Sequence, residues 1–142
     1  MRKYESKYLQ ANVTFEVDGE QFHAPAALPM AARREEAKAQ YAILGLWSDL
    51  RSAVVERTKD LDRELTSDEF DEFYIELQAK QGVLNEHVLE ATLMLLIPED
   101  RDRYRKVFEG LDDVTSYQVY SDLRQEVVLY SEVFTQERPT TP

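Results

Sequence analysis

The chain reads as a mostly helical single domain with a small β-hairpin near its N-terminal end, and three observations carry that reading. Val13, Phe15 and Val17 alternate with Thr14 and Glu16 before Asp18-Gly19, the pattern of a strand entering a tight turn. From Met30 onward the apolar side chains recur at three, four and seven residues, the helical period. Prolines and glycines fall mostly between these series, where one element must give way to the next. With 142 residues the chain is long enough for one hydrophobic core and short for two. The expected organisation is a flexible N-terminus over 1–11, a mainly helical domain with its hairpin over 12–136, and a flexible tail over 137–142.

In the hairpin, Asp18-Gly19 supplies positive φ and Gln21-Phe22-His23 the return strand. Two strands alone are marginal, so Val13, Phe15, Val17 and Phe22 must pack on helices or on a partner. Pro25 to Pro29 separates the hairpin from an alanine-rich helix starting near Met30. Its stripe is Ile43, Leu46, Trp47, Leu50, Val54 and Leu61, with a break expected at Gly45 or Lys59. Trp47, flanked by aliphatic residues at helical spacing, is assigned to the core.

Thr66 and Glu69 are spaced as a capping box opening a helix with Phe70, Phe73, Tyr74 and Leu77 on one face. Gln81-Gly82 is expected to end that helix, and Val83 or Leu84 to begin a separate central one running to Pro98. A short helix over about 99 to 109 turns Tyr104, Val107 and Phe108 inward, with Gly110 closing it in a left-handed conformation. Thr115 or Ser116 caps a last helix to about Thr135, striped by Tyr120, Leu123, Val127, Tyr130 and Phe134.

Formal net charge is −11, from 28 acidic against 17 basic residues. Such a surface repels phosphate backbones and anionic lipid heads, and the basic cluster Arg101, Arg103, Arg105 and Lys106 is interleaved with Asp100 and Asp102. Neither nucleic acid nor membrane is expected as a partner. The absence of cysteine excludes disulfides, thiolate nucleophiles and sulfur-ligated zinc. No apolar run reaches the roughly 18 residues that span a bilayer, and a soluble intracellular protein is the expectation.

Catalytic and metal-binding patterns are weak throughout. His23 and His87 have no neighbours at ligand spacing, and each reads as a surface or locally hydrogen-bonded residue. Asp68 with Glu72 and Glu72 with Glu76 share a helical face, but the segment lacks the ligand order of a calcium loop and reads as a solvated acidic face. No serine sits in a nucleophile elbow and the glycines form no phosphate cradle. No catalytic residue, metal ligand or cofactor is assigned, and the chain is expected not to be an enzyme.

Taken in order, Val13-Thr-Phe-Glu-Val-Asp-Gly19, Pro98-Glu-Asp-Arg-Asp-Arg-Tyr104, Asp112-Asp-Val-Thr-Ser116 and Arg138-Pro-Thr140 resemble tail assembly chaperones of long-tailed bacteriophages, especially those of actinobacterial hosts. The resemblance is scattered over most of the chain. It departs at Glu132-Val-Phe134, where such proteins have a tryptophan-containing helix. It implies a helper in the cytoplasm of the infected bacterial host that binds the tape measure protein and is absent from the mature virion. It also implies that the chain is the shorter product of a gene pair whose frameshifted, longer form is a further partner.

Eight tyrosines make an aromatic surface the natural candidate for binding, since a tyrosine ring supplies contact area at little entropic cost. The expected partner face is Tyr117, Tyr120, Leu123, Val127, Tyr130 and Phe134, with Phe70, Phe73 and Tyr74 as a second patch. Apolar faces also pair with copies of themselves, so a homo-oligomer is a further expectation. The alternative function is a phage structural or host-targeting protein-binding module.

Overall fold

The computed structural model describes residues 1–5, 11–59, 63 and 65–129. Strand β1 (Ala11–Val17) pairs antiparallel with β2 (Glu20–Pro25), with Phe15 opposite Phe22 and Val17 opposite Glu20. The turn takes φ of 49° at Asp18 and 84° at Gly19, the two positive values a tight two-residue hairpin requires. Phe22, Ala24 and Val17 are buried, with Val13 and Phe15 packed beside them, so the hairpin buries its apolar face on helices.

Helix α1 (Met30–Thr58) runs through Gly45 without a break, and Lys59 is its C-cap. Helix α2 (Ser67–Met94) opens with the capping box expected from sequence: Glu69 N–H donates to Thr66 Oγ1 at 3.2 Å and Thr66 N–H to Glu69 Oε1 at 3.0 Å. The expected end at Gly82 is a correction, because α2 continues through it as one helix. Phe73, Leu77, Leu84, Val88 and Ala91 recur at helical spacing across Gly82, the last three packed in the core, and that packing outweighs the roughly 1 kcal/mol that glycine costs a helix.

After α2, Pro98 opens a single 3-10 turn (Pro98–Asp100) that leads into α3 (Arg101–Phe108). Tyr104 is buried and Val107 and Phe108 half-buried. Gly110 does not adopt positive φ; Gly110 N–H bonds Val107 O and Leu111 N–H bonds Phe108 O, each at 3.0 Å, and these tight turns satisfy the helix end instead. Helix α4 (Asp113–Arg124) is capped by Asp112, whose carboxylate accepts from Thr115 N–H at 2.7 Å; the cap therefore lies three residues before the expected Thr115. A π-helical turn (Gln125–Leu129) follows, and its wider winding accompanies burial of the adjacent Val127 and Val128. Leu61, Tyr130, Phe134 and the expected tail lie outside the described residues.

The packing is lopsided. Helices α1 and α2 are antiparallel, with Arg57 near the end of α1 bridging Glu76 in the first half of α2 at 2.8 Å. Helix α4 covers their seam at one end only: Arg124 and Tyr120 reach Glu36, Tyr117 meets Trp47, and Asp113 accepts from Asn85. The hairpin and α3 close that same end. Buried side chains of α1 stop at Ile43, and in α2 only Phe73 is buried before Leu84. Beyond that point the described residues form a two-helix arm.

Candidate functional site

The arm carries an apolar groove where α4 ceases to cover the α1–α2 seam. Trp47, Leu50, Val54 and Val55 of α1 form one wall and Leu77 and Leu84 of α2 the other, around a volume of about 590 Å³. A second hollow of about 320 Å³ shares Trp47, Leu84 and Asp113 and reaches Val114 and Tyr117 at the start of α4. Steps of four, three and four residues set Phe70, Tyr74, Leu77 and Gln81 on one face of α2, so the exposed pair Phe70 and Tyr74 extends the same surface outward. Those two rings stack at 6.3 Å between centroids.

Trp47 is 39% exposed, not a core residue. Its ring leans on Tyr117 at 5.6 Å, but α4 begins too late to cover it, and the indole stands at the groove mouth. Val54 is also exposed, while Ile43 is buried and Leu46 and Leu50 are half-buried, so the single stripe read from the sequence divides between core and groove.

The expected partner face on the last helix is largely internal. Tyr120, Leu123 and Val127 are buried in the chain's own core and so are unavailable to a partner; the reason is that α4 is the third helix of the closed end and must spend its apolar stripe there. Tyr117 is half-buried, and Tyr130 and Phe134 lie outside the described residues. Of the second patch, Phe73 is buried beneath the Arg57 guanidinium, while Phe70 and Tyr74 are 56% and 53% exposed. The apolar groove residues not named as contacts from sequence are Trp47, Leu50, Val54 and Val55 of α1 and Leu77 and Leu84 of α2. On α1 their signal was legible as an apolar surplus: Leu44, Trp47, Val54 and Val55 stand beside Ile43, Leu46 and Leu50, more than one seam can bury.

The charged groups elsewhere serve the fold. Asp100 is buried and accepts from His23 N–H at 2.7 Å, from Arg103 at 2.9 Å, and pairs with His23 Nδ1 at 2.9 Å. Burial pushes its carboxyl up, but the His23 and Arg103 bonds outweigh that and hold it below its ordinary value. With Ile97 N–H donating to His23 O at 3.0 Å and Arg103 lying 4.6 Å over the Phe22 ring, the cluster fastens the hairpin to the α2–α3 connection. Glu36, also buried, accepts from Tyr120 at 3.0 Å and from Arg124 at 2.9 Å, and Tyr120 further bonds Gln40. Burial and then the Glu36 charge raise the Tyr120 phenol.

On α2, Glu69 is occupied by Arg63 at 2.7 Å and by the cap; the Arg63 bond first and the Thr66 bonds next lower its carboxyl to about 2. Glu76 is shared by Arg57 and Lys80, and Asp68, Asp71 and Glu72 are exposed. His87 borders a separate cleft of about 330 Å³ with Glu35, Lys38 and Glu90. Among the described residues no three His, Asp or Glu side chains gather as a metal site would require, and no helix is long and apolar enough to cross a membrane. No family model, curated protein or solved structure matches the chain.

Proposed function

We propose that this chain is a non-enzymatic assembly chaperone that binds the tape measure protein of a long-tailed bacteriophage and keeps it soluble while the tail is built. The observation that carries the binding part is the uncovered apolar groove of the arm, bordered by Trp47, Phe70 and Tyr74. Among the described residues no third helix covers this stretch of the seam, and an apolar seam left open is a surface that another chain can dry. The sequence resemblance supplies the identity of that chain. A tape measure protein is long and helix-rich, and its apolar stripes are uncovered until the tail tube surrounds it; a helical groove would cover them one stretch at a time.

The charge of −11 fits the same role, since like-charge repulsion keeps loaded complexes apart. In this reading the protein acts in the cytoplasm of the infected host and is left out of the virion, and a frameshifted longer form would share the domain. Co-expression with the tape measure protein of the same genome tests it. A soluble complex on size-exclusion light scattering, with the tape measure protein insoluble when expressed alone, is the expected result. Two separately soluble proteins that fail to associate would instead favour a structural or host-targeting binding module.

A further inference from the structure

The groove lies where a third helix would continue the line of α4. Helix α4 fills the α1–α2 seam from the level of Glu36 to that of Trp47, and its first residue, Asp113, borders the groove. Past Asp113 the same two helices present the same kind of seam, with no further described residue seated in it. From Phe70 to Leu84 the α2 side of this surface is about 21 Å long at 1.5 Å per residue, close to four helical turns. A seam between two antiparallel helices accepts a third helix best, because the side chains of a helix fit the ridges and grooves the pair already presents.

The charges around the groove select among helices. Asp113 borders one end, with the exposed Asp112 beside it, whereas the outer end carries Asp68 and Asp71 of α2 together with Lys59 of α1, so only the first end is purely acidic. Along the sides the polar residues are the uncharged Gln78 and Gln81, with Arg51 on α1. The helix α2 as a whole carries Asp68, Glu69, Asp71, Glu72, Glu76, Glu86 and Glu90 against Lys80. A second copy seated here would bring one acidic α2 against another, which like-charge repulsion opposes.

We infer that the groove takes one amphipathic helix of about four turns from a partner, apolar along its buried stripe and basic at the end that meets Asp112 and Asp113, completing a three-helix arm end-on with α4. The inference rests on the binding role proposed above and specifies the kind of segment the groove recognises. It holds for any partner carrying such a segment, so the groove and the tape measure assignment fail separately.

Trp47, the one tryptophan of the chain, reports directly on occupancy because it lines both hollows. The probe is a synthetic helical peptide of about four turns with a leucine stripe and lysines at one end, titrated against the full chain. Its control keeps the stripe and replaces the lysines with glutamates. The expected result is a saturable blue shift of Trp47 with the lysine peptide, binding about tenfold weaker for the glutamate peptide, and a narrowed gap in salt that cuts the Debye length to about 3 Å. Val55→Glu, an exposed position on the groove wall, should weaken the lysine peptide about tenfold with an unchanged circular dichroism spectrum. Leu77→Ala gives a second, uncharged test of the opposite wall and should weaken it in the same direction.

Equal binding of the two peptides, no binding of either, or indifference to both substitutions would overturn the inference. So would a Trp47 blue shift that follows protein concentration without peptide while the scattering mass doubles, which would make the occupant a second copy. Peptide binding without a tape measure complex would sink the chaperone assignment and leave the groove intact. A tape measure complex unaffected by Val55→Glu would do the reverse.

Discussion

Tyr104 and Asp100 are both buried side chains in the α3 region, and they make opposite predictions. Among the described residues the Tyr104 hydroxyl has no hydrogen-bond partner, and burial pushes its phenol up to about 12. An orphaned buried hydroxyl costs about 1–3 kcal/mol, so Tyr104→Phe should leave stability unchanged or raise it by about 1 kcal/mol, read from the urea midpoint. Asp100→Ala should do the reverse, since it strands the His23 N–H and Arg103 beneath the hairpin; a loss of about 2–3 kcal/mol is expected. The Asp100 carboxyl is held below its ordinary value near 3.8, so its contribution is complete above that pH and disappears as pH falls through the folded value. Acid titration of stability below pH 4 should therefore be shallower in Asp100→Asn than in the parent. At this scale the sequence was legible for the Thr66–Glu69 cap and the Asp18-Gly19 turn, whose chemistry is local. The pairing of His23 with Asp100, 77 positions away, was not, because no local pattern encodes a contact made by docking.

At the scale of elements, the misread break at Gly82 shows where local preference yields to packing. Glycine is a helix stop only when the apolar stripe also stops, and here Leu84, Val88 and Ala91 prolong the stripe begun at Phe73 and Leu77. A Cβ built at Gly82 meets nothing within 4 Å. Gly82→Ala should therefore stabilise the chain by about 0.5–1 kcal/mol, measurable as a higher urea midpoint with an unchanged slope. The last helix teaches a related point. Its stripe of Tyr120, Leu123 and Val127 was correctly periodic, but periodicity identifies a face to be covered and not what covers it; α1 and α2 cover this one. Tyr120→Phe removes the bonds to Glu36 and Gln40 in that interface and should cost about 1–2 kcal/mol in the same assay.

Across the whole molecule, the mostly helical class and the N-terminal hairpin were legible, since both depend on period and turn chemistry. The lopsided core was not. Phe70, Phe73 and Tyr74 were read as one surface patch, of which Phe73 is buried, whereas Trp47 was assigned to a core whose last buried residue on α1, Ile43, lies one turn before it. The difference between a closed three-helix end and an open two-helix arm depends on where α4 begins along the seam, and that is a tertiary fact. The open seam is the apolar surface on which the proposed binding role rests. The proposed role requires that the arm hold a tape measure segment. The most direct test is size-exclusion light scattering of the co-expressed pair, with the parent chain and with Val55→Glu side by side. The account predicts a soluble complex for the parent and its loss or marked weakening for the variant; folded partners that elute separately in both cases would contradict it.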